Sequence, residues 1–558
     1  MDRRDISLAL FASAAGSALL TQRAEAQSCT APCYAQTSAE SAAGITPTNT
    51  AYPPGNVLRY GADPTGSADS TAAFNAATFA TLSYSLNALL NEIVVPAGRY
   101  VINGTVYVRK GQRLRGALGG TYIVCNNSGS GPTFKLGWGL ISGTPTPDSG
   151  GQPLSLESLF LLGGPAGGCV DCSGVAGAFI KDLFISAPAL GINISGSADL
   201  NCTNVIIDQG SAGIVITGSA NCQFDTLKFY NLHYDLQIGS TVYDCQWTNC
   251  HSEYNQYTSI LFGDSATAIH NLKFTDWQFI YNMQYGTYSG AIQNRASGVT
   301  ARFDSCTFNN MPGYAYVHGT QTGSQLDFAA CTFDGLKSAA AYTQSTTAGA
   351  INTSNETVIL ADCTFRNLPA QPILVGGTLQ SVLEISGGTY SANSGPSVIG
   401  ISNSASTSLV RVYGLRGDAS QTLVNNQSTV SVIIQNCVGW FGAIATSGSK
   451  RYVLVPYQFS NVYQITLRAN INSGGNADYR KSSVLLVEKD NDYSSGAKSF
   501  ISTSIPIQGA ANLNGVIAIA AEFGAVGGNT SISMSDSGSL AISWPATYSY
   551  ESIDVQIV

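Results

Sequence analysis

Charge is scarce in this sequence. Asp, Glu, Lys and Arg make up 11% of the 558 residues, where an ordinary globular chain carries about 25%. The 26 basic residues are outnumbered by 34 acidic ones, giving a net charge of −8 and a pI near 5.0. The lack of a basic surplus argues against nucleic acid and anionic membrane surfaces as partners. An acidic polysaccharide is not excluded, because local charge can oppose the global sign. The small number of His and Met, four of each, argues against a His-rich metal centre. The 13 Cys form no paired Cys-x-x-Cys zinc pattern. Glycine, by contrast, is plentiful, at 59 residues. A hydrophobic share of 44% and a mean hydropathy of +0.09 supply a large core. Solubility therefore falls to Ser, Thr, Asn and Gln, a composition that fits stacked strands with tight turns and not a helical bundle.

The N-terminus reads as an export signal over residues 1–26. Arg3 and Arg4 precede the apolar run Leu8 to Leu20, which is too short to span a bilayer. Ala24-Glu25-Ala26 then supplies a small-residue cleavage site. The paired Arg resembles a twin-arginine signal; a plain secretory signal is the alternative. The reading places the protein in the periplasm or outside the cell, with the mature chain starting near Gln27 and an N-terminal extension over 27–55. Cys29 and Cys33 then meet an oxidising compartment and can pair.

A repeat runs through the middle of the chain. Phe303-Asp-Ser-Cys306-Thr-Phe308, Phe328-Ala-Ala-Cys331-Thr-Phe333 and Leu360-Ala-Asp-Cys363-Thr-Phe365 share one pattern, apolar-x-x-Cys-Thr-Phe. Relaxed to any small or apolar residue, its centre recurs from Leu159 through Leu183, Val205, Leu227, Cys250, Trp277, Cys306, Cys331, Cys363, Gly388 and Leu415 to Cys437. The period is about 25 residues, that of a solenoid whose coils share one core. The central position and the second residue after it point inward; the residue between them and the one beyond point outward. Thr307, Thr332, Thr364 and Thr389 then form an exposed ladder. Asn231, Asn255, Asn282, Asn310 and Asn367 follow the strands as a corner stack, because Asn tolerates left-handed turns. Cys250, Cys306, Cys331, Cys363 and Cys437 share an inward column and read as small buried hydrophobes rather than metal ligands. Cys169 and Cys172 are open to a disulfide or a weak metal motif.

At the front, Tyr60-Gly61-Ala62-Asp63, Asp69-Ser70-Thr71-Ala72-Ala73 and Pro96-Ala-Gly98-Arg-Tyr100 resemble the opening segment of the pectate-lyase-like superfamily over roughly residues 56–125. Asp69 or Ser70 caps a helix from Thr71 towards Leu90 that covers the open end of the solenoid. The resemblance implies an all-β fold: a right-handed single-stranded parallel β-helix over 56–445 with an N-terminal capping helix. It also implies polysaccharide hydrolases, lyases and tailspike-like depolymerases. The Asp-Asp and Gly-His-Gly motifs of polygalacturonases are absent, since Val317 precedes His318-Gly319. So is the Trp-Ile-Asp-His signature of calcium-dependent pectate lyases.

The register nominates a site. One outward column reads Lys228, His251, Gln278, and its neighbour reads Asp208, Tyr230, Glu253. His233, Tyr254, Tyr257 and Tyr281 lie near in sequence, with Tyr234, Trp247 and Tyr285, and offer aromatic faces to sugar rings. Glycoside hydrolysis needs two carboxyl groups. Asp208 and Glu253, two coils apart, would have backbones roughly 9.6 Å apart, compatible with an inverting pair. Glu253 is then the general acid, raised by Tyr neighbours, and Asp208 the base. A lyase would instead use His251 or Tyr230 as base and Lys228 to neutralise a uronate carboxylate. Asp225, Asp235, Asp244, Asp276 and Asp304 are competing acids. No cofactor or metal is implied, apart from calcium if the chemistry is a lyase's.

After Trp440-Phe441 the period ends, and residues 451–558 alternate apolar and polar between Gly- and Ser-rich turns, the pattern of a small C-terminal β-sandwich-like domain. It loosely resembles the C-terminal domains of tailspike-like proteins, where it would bind carbohydrate, support a homotrimer or cap the last coil. Two functions stay open. One is an exported polysaccharide-degrading enzyme, hydrolase or lyase. The other is a non-catalytic adhesin or tailspike-like protein that binds glycan.

Overall fold

The computed structural model describes residues 34–438 apart from 81–90, 130, 142–143, 148–152, 165–166, 264–267, 281–289, 311–313, 319–321, 336–349, 369–371, 392–396, 403–406, 418–421, 427–430 and 436. Beyond these it describes the strands at 450–455, 462–471, 479–488, 516–519, 530–534, 540–545 and 549–557. The described chain is almost entirely β, and the strands up to Gln435 that stack between coils pair in parallel. The architecture is the parallel β-helix that the sequence predicts, with successive coils stacked in two long parallel sheets. The chain resolves into two compact units, residues 1–232 and 233–558.

In the first unit, the opening segment builds the end of the coil. Asp63 closes a turn by accepting hydrogen bonds from the backbone amides of Thr65, Ser67 and Ala68. Asp69 accepts from the amide and hydroxyl of Thr71 and so starts the helix Thr71–Ala80. Residues 81–90, the rest of the expected helix, lie outside the described residues. Ahead of it, the short helix Ser38–Ala42 carries Glu40, whose carboxylate meets Arg59 at 2.6 Å with both side chains fully buried. The parallel coils follow. Leu154–Leu162 pairs with Ala178–Ser186, and that with Asn201–Asp208, while Val170–Asp171, Leu190–Ser195 and Ala212–Thr217 stack in a second sheet.

In the second unit, Tyr234–Ile238, Thr258–Phe262, Ile292–Asn294 and Tyr316–His318 form one parallel ladder. His251–Glu253, Gln278–Ile280, Thr307–Asn309, Thr332–Asp334 and Thr364–Arg366 form another. Identical positions therefore sit one strand spacing apart, about 4.8 Å. Trp247, Phe274, Phe303 and Phe328 stack with ring centroids 4.7, 4.6 and 4.9 Å apart. Phe279, Phe308, Phe333 and Phe365 make a second stack at 4.7, 4.9 and 5.1 Å. From Lys450 onward the pairing turns antiparallel: Lys450–Val455 runs against Leu540–Pro545, and Val462–Ile471 against both Tyr479–Glu488 and Ser549–Ile557.

The repeat positions hold a common backbone reason. Leu159, Leu183, Val205, Leu227, Cys250, Trp277, Cys306, Cys331 and Cys363 are all buried. Each follows a residue with positive φ: Ser158, Asp182, Asn204, Thr226, Asn249, Asp276, Ser305, Ala330 and Asp362. A single left-handed residue bends the strand, so the central side chain re-enters the core beside the apolar position before it. Gly387 and Gly414 take that conformation ahead of Gly388 and Leu415. Thr307, Thr332, Thr364 and Thr389 align as the expected outer ladder. The ten cysteines whose side chains are described are buried and in no disulfide, Cys169 and Cys172 among them; Cys29 and Cys33 lie outside the described residues.

Candidate functional site

In the first unit, Asp208 sits opposite Tyr230, and Ile206 opposite Lys228. Alternation turns Lys228 and Tyr230 outward while Phe229 fills the core. Asp208 is partly buried and accepts a hydrogen bond from Asn231 Nδ2 at 3.1 Å. Burial pushes its carboxyl above the usual Asp range, against the hydrogen bonds from Asn231 and the Gln209 backbone. The column of Lys228 and Ile206, not that of Asp208, continues through Phe184 and Phe160 to Tyr122, with ring centroids 5.5 and 5.0 Å apart. Sequence reading missed these rings. Their signal was the run Leu159-Phe-Leu-Leu162, apolar on both faces of one strand.

In the second unit, the strand His251–Glu253 turns His251 and Glu253 outward and Ser252 inward. His251 Nε2 stands 3.2 Å from Glu253 Oε2, and both side chains keep about a quarter of their surface in solvent (21% and 25%). The pairing arises because alternate residues of a strand share a face. Gln278 lies opposite His251 on the next coil and is exposed. After Glu253 the chain turns sharply: Tyr254 has φ +59. Tyr257 follows, 41% exposed. The His233 ring meets its edge at 5.1 Å, and Tyr234 stacks on it at 5.9 Å. This aromatic platform lies four residues beyond the dyad. Tyr254 takes the left-handed corner that the Asn stack had assigned to Asn255, whereas Asn231, Asn310 and Asn367 do occupy such corners. Asn282, Tyr281 and Tyr285 lie outside the described residues.

Beneath the dyad is a polar cluster that sequence reading did not assemble. Asp235, one of the competing acids, is fully buried. Its Oδ2 accepts from Asn255 Nδ2, which also donates to Ser259 Oγ at 3.1 Å. Ser252 and Ser259 hydrogen-bond to the same carboxyl. Trp277 Nε1 donates to Ser252 Oγ at 2.8 Å. Burial pushes the Asp235 carboxyl up to about 8, with those three side chains pulling it back. Trp247, offered by the sequence as a sugar-stacking ring, is instead core, stacked on Phe274. Asp244 and Asp304 are held by Asn271 and by Arg302 with Lys273. Among the described residues, no three His, Cys, Asp or Glu side chains converge to hold a metal ion.

No protein-family model matches the chain, and no curated protein does. Solved structures resemble it at low identity. The tailspike protein gp49 of Pseudomonas phage LKA1 is 11% identical, with 90% of this chain and 99% of that one covered at a TM-score of 0.48. The catalytic unit of a GH87 alpha-1,3-glucanase from Streptomyces thermodiastaticus strain HF3-3 is 16% identical, covering 70% and 69%, with a TM-score of 0.37. The A-module of the Azotobacter vinelandii mannuronan C-5 epimerase AlgE6 is 12% identical, covering 70% and 100%, with a TM-score of 0.39. These likenesses concern the fold alone.

Proposed function

We propose that the chain acts on an acidic polysaccharide, and that His251, oriented by Glu253, takes the proton at C5 of a uronate residue. The observation that carries this reading is the 3.2 Å separation of His251 Nε2 and Glu253 Oε2 on one outward face. A carboxylate at hydrogen-bond distance fixes the imidazole ring and stabilises the imidazolium formed when His251 accepts the proton. The C–H electron pair becomes the C4–C5 double bond, the C4–O bond breaks, the departing oxygen takes a proton from water, and the His251 imidazolium returns its proton to the hydroxide so formed. The exposed Tyr257 ring, braced by His233 and Tyr234, supports the reading as a surface for the apolar face of a sugar. Gln278 adds an amide beside His251 for hydroxyl groups. In this proposal the leader at 1–26 carries the chain to the periplasm or beyond, where such polymers are met. One observation favours a second reading, hydrolysis: the raised carboxyl of Asp208 has the direction of a general acid.

The test is a panel of acidic and neutral polysaccharides, with new reducing ends and the ultraviolet absorbance of unsaturated uronates recorded together. Both signals are expected to rise on a uronate polymer. His251→Ala should then lower the rate by about 10²–10⁴-fold, the contribution of a general base, and Glu253→Gln by less. Reducing ends without absorbance would replace elimination by hydrolysis and move the test to Asp208→Asn. Binding without either signal would leave a glycan-binding protein.

A further inference from the structure

We propose that Asp235 is a positioning residue: from the core, it holds the dyad strand and the aromatic turn in one arrangement. The inference rests on the reading of His251, Glu253 and Tyr257 as the site, and its geometry is independent of which chemistry the site performs. Asp235 lies on Tyr234–Ile238, the strand that begins beside two rings of the platform, His233 and Tyr234. Ser252 is the inward residue between the two members of the dyad. Asn255 stands in the turn between Glu253 and Tyr257, and Ser259 opens the next strand, Thr258–Phe262. One carboxyl group thus reaches the dyad strand, the turn and both flanking strands. Trp277 ties Ser252 to the following coil from the other side.

A core built only for stability would fill these positions with apolar side chains, as the flanking Leu236 and Ile260 do. Burying a carboxyl, an amide and two hydroxyls is costly unless they bond one another; here Asn255 donates to Asp235 Oδ2 while Oδ1 has no hydrogen-bond partner, and the bonds that are made hold one geometry. Fixing matters here because Tyr254 holds a left-handed conformation that disfavours a side chain with a Cβ. Without the bond from Asn255 to Asp235, the turn that joins Glu253 to Tyr257 can relax.

Amide hydrogen exchange on the full-length protein tests this. In Asp235→Leu, the amides of residues 252–259 should exchange at least about tenfold faster than in the parent, while those of 357–361 stay protected. Asp235→Asn keeps an acceptor for Asn255 and should restore protection. Val358→Ala, a cavity placed elsewhere in the same unit, should loosen 357–361 and leave 252–259 unchanged. Unaltered exchange at 252–259 in Asp235→Leu would overturn the proposal, as would loss of protection spread evenly over the unit. Should the Leu variant not fold, Ser259→Ala removes one member of the cluster and should loosen the same segment. The polysaccharide assay of the same proteins separates the two ideas. Faster exchange in a protein whose parent never engages a glycan would retain the positioning role and reject the site reading. Faster exchange without any change in an existing glycan affinity or rate would reject the positioning role.

Discussion

Asp235 makes the stability of this protein depend on pH in the direction opposite to that of an ordinary paired acid. Burial raises its carboxyl from 3.8 to about 8, so the folded chain holds a proton there that the unfolded chain has released above pH 4. The folded state is the proton-richer one between those values, and stability falls as pH rises through the window. One proton of difference is worth about 1.4 kcal/mol per pH unit, so the interval from pH 5 to pH 7 costs the native state about 3 kcal/mol. The fall levels off above about pH 8, where both states are ionised. Asp235→Asn cannot titrate and lacks this term. The measurement is the denaturant midpoint of parent and variant at half-unit steps from pH 5 to pH 9, with the difference between them plotted. The parent should lose ground steadily up to about pH 8 and then run parallel to the variant. A difference that is flat from pH 5 would mean that Asp235 is ionised in the folded protein, and the argument from burial would be wrong.

Other outcomes follow from groups already described. Glu40→Gln leaves the fully buried Arg59 facing a neutral amide, and should destabilise the opening segment by about 3–5 kcal/mol in equilibrium unfolding; a loss below 1 kcal/mol would show that the pair is replaceable. Arg59 and its neighbours lower the Glu40 carboxyl to about 2, so its stabilising contribution is complete above the ordinary Glu range near pH 4.5 and is lost as pH falls towards 2, the reverse of Asp235. Phe303→Ala interrupts the stack between Phe274 and Phe328 and should cost about 3–5 kcal/mol, whereas Phe303→Leu, which keeps most of the volume, should cost less than half of that; equal losses would mean that the ring and not the volume sets the penalty. Glu356→Gln should also unfold more readily, because Tyr316 and Thr353 both donate to this buried carboxylate and His318 Nδ1 stands 2.8 Å from it; thermal denaturation beside Val358→Ala gives the comparison.

The columns of the solenoid were legible because backbone geometry repeats them. A left-handed residue followed by an inward one recurs whatever the side chains are, so Cys306, Cys331 and Cys363 and the threonines beside them could be aligned by eye. The outward positions of Lys228, His251, Gln278, Asp208, Tyr230 and Glu253 followed from the same register. The buried acids were not legible. A carboxyl in an alternating strand reads as outward, and nothing local marks Asp235 as the exception: its partner Asn255 is twenty residues away, and Glu356 lies sixty-two from Asn294. Asn255 itself looked like one more corner residue, since the neighbouring coils place Asn there; only the turn at Tyr254 shows that it has moved one position inward. Trp247 was misread for a related reason, because composition tells how many rings a segment has and not which face they take.

The left-handed corner also decides where this molecule can change length. Twenty-two residues separate Asp182 from Asn204, and thirty-two separate Ala330 from Asp362, yet the strands around both pair in register. Most of the change falls in one connection: three residues join Ser186 to Leu190, and sixteen join Asp334 to Ile351. Insertions are therefore a property of one edge of the coil, while the kinked edge keeps time. A segment of foreign sequence spliced between Asp334 and Ile351 should be displayed without altering its neighbours, whereas one extra residue between Ala329 and Thr332 would rotate every later side chain of that strand to the wrong face.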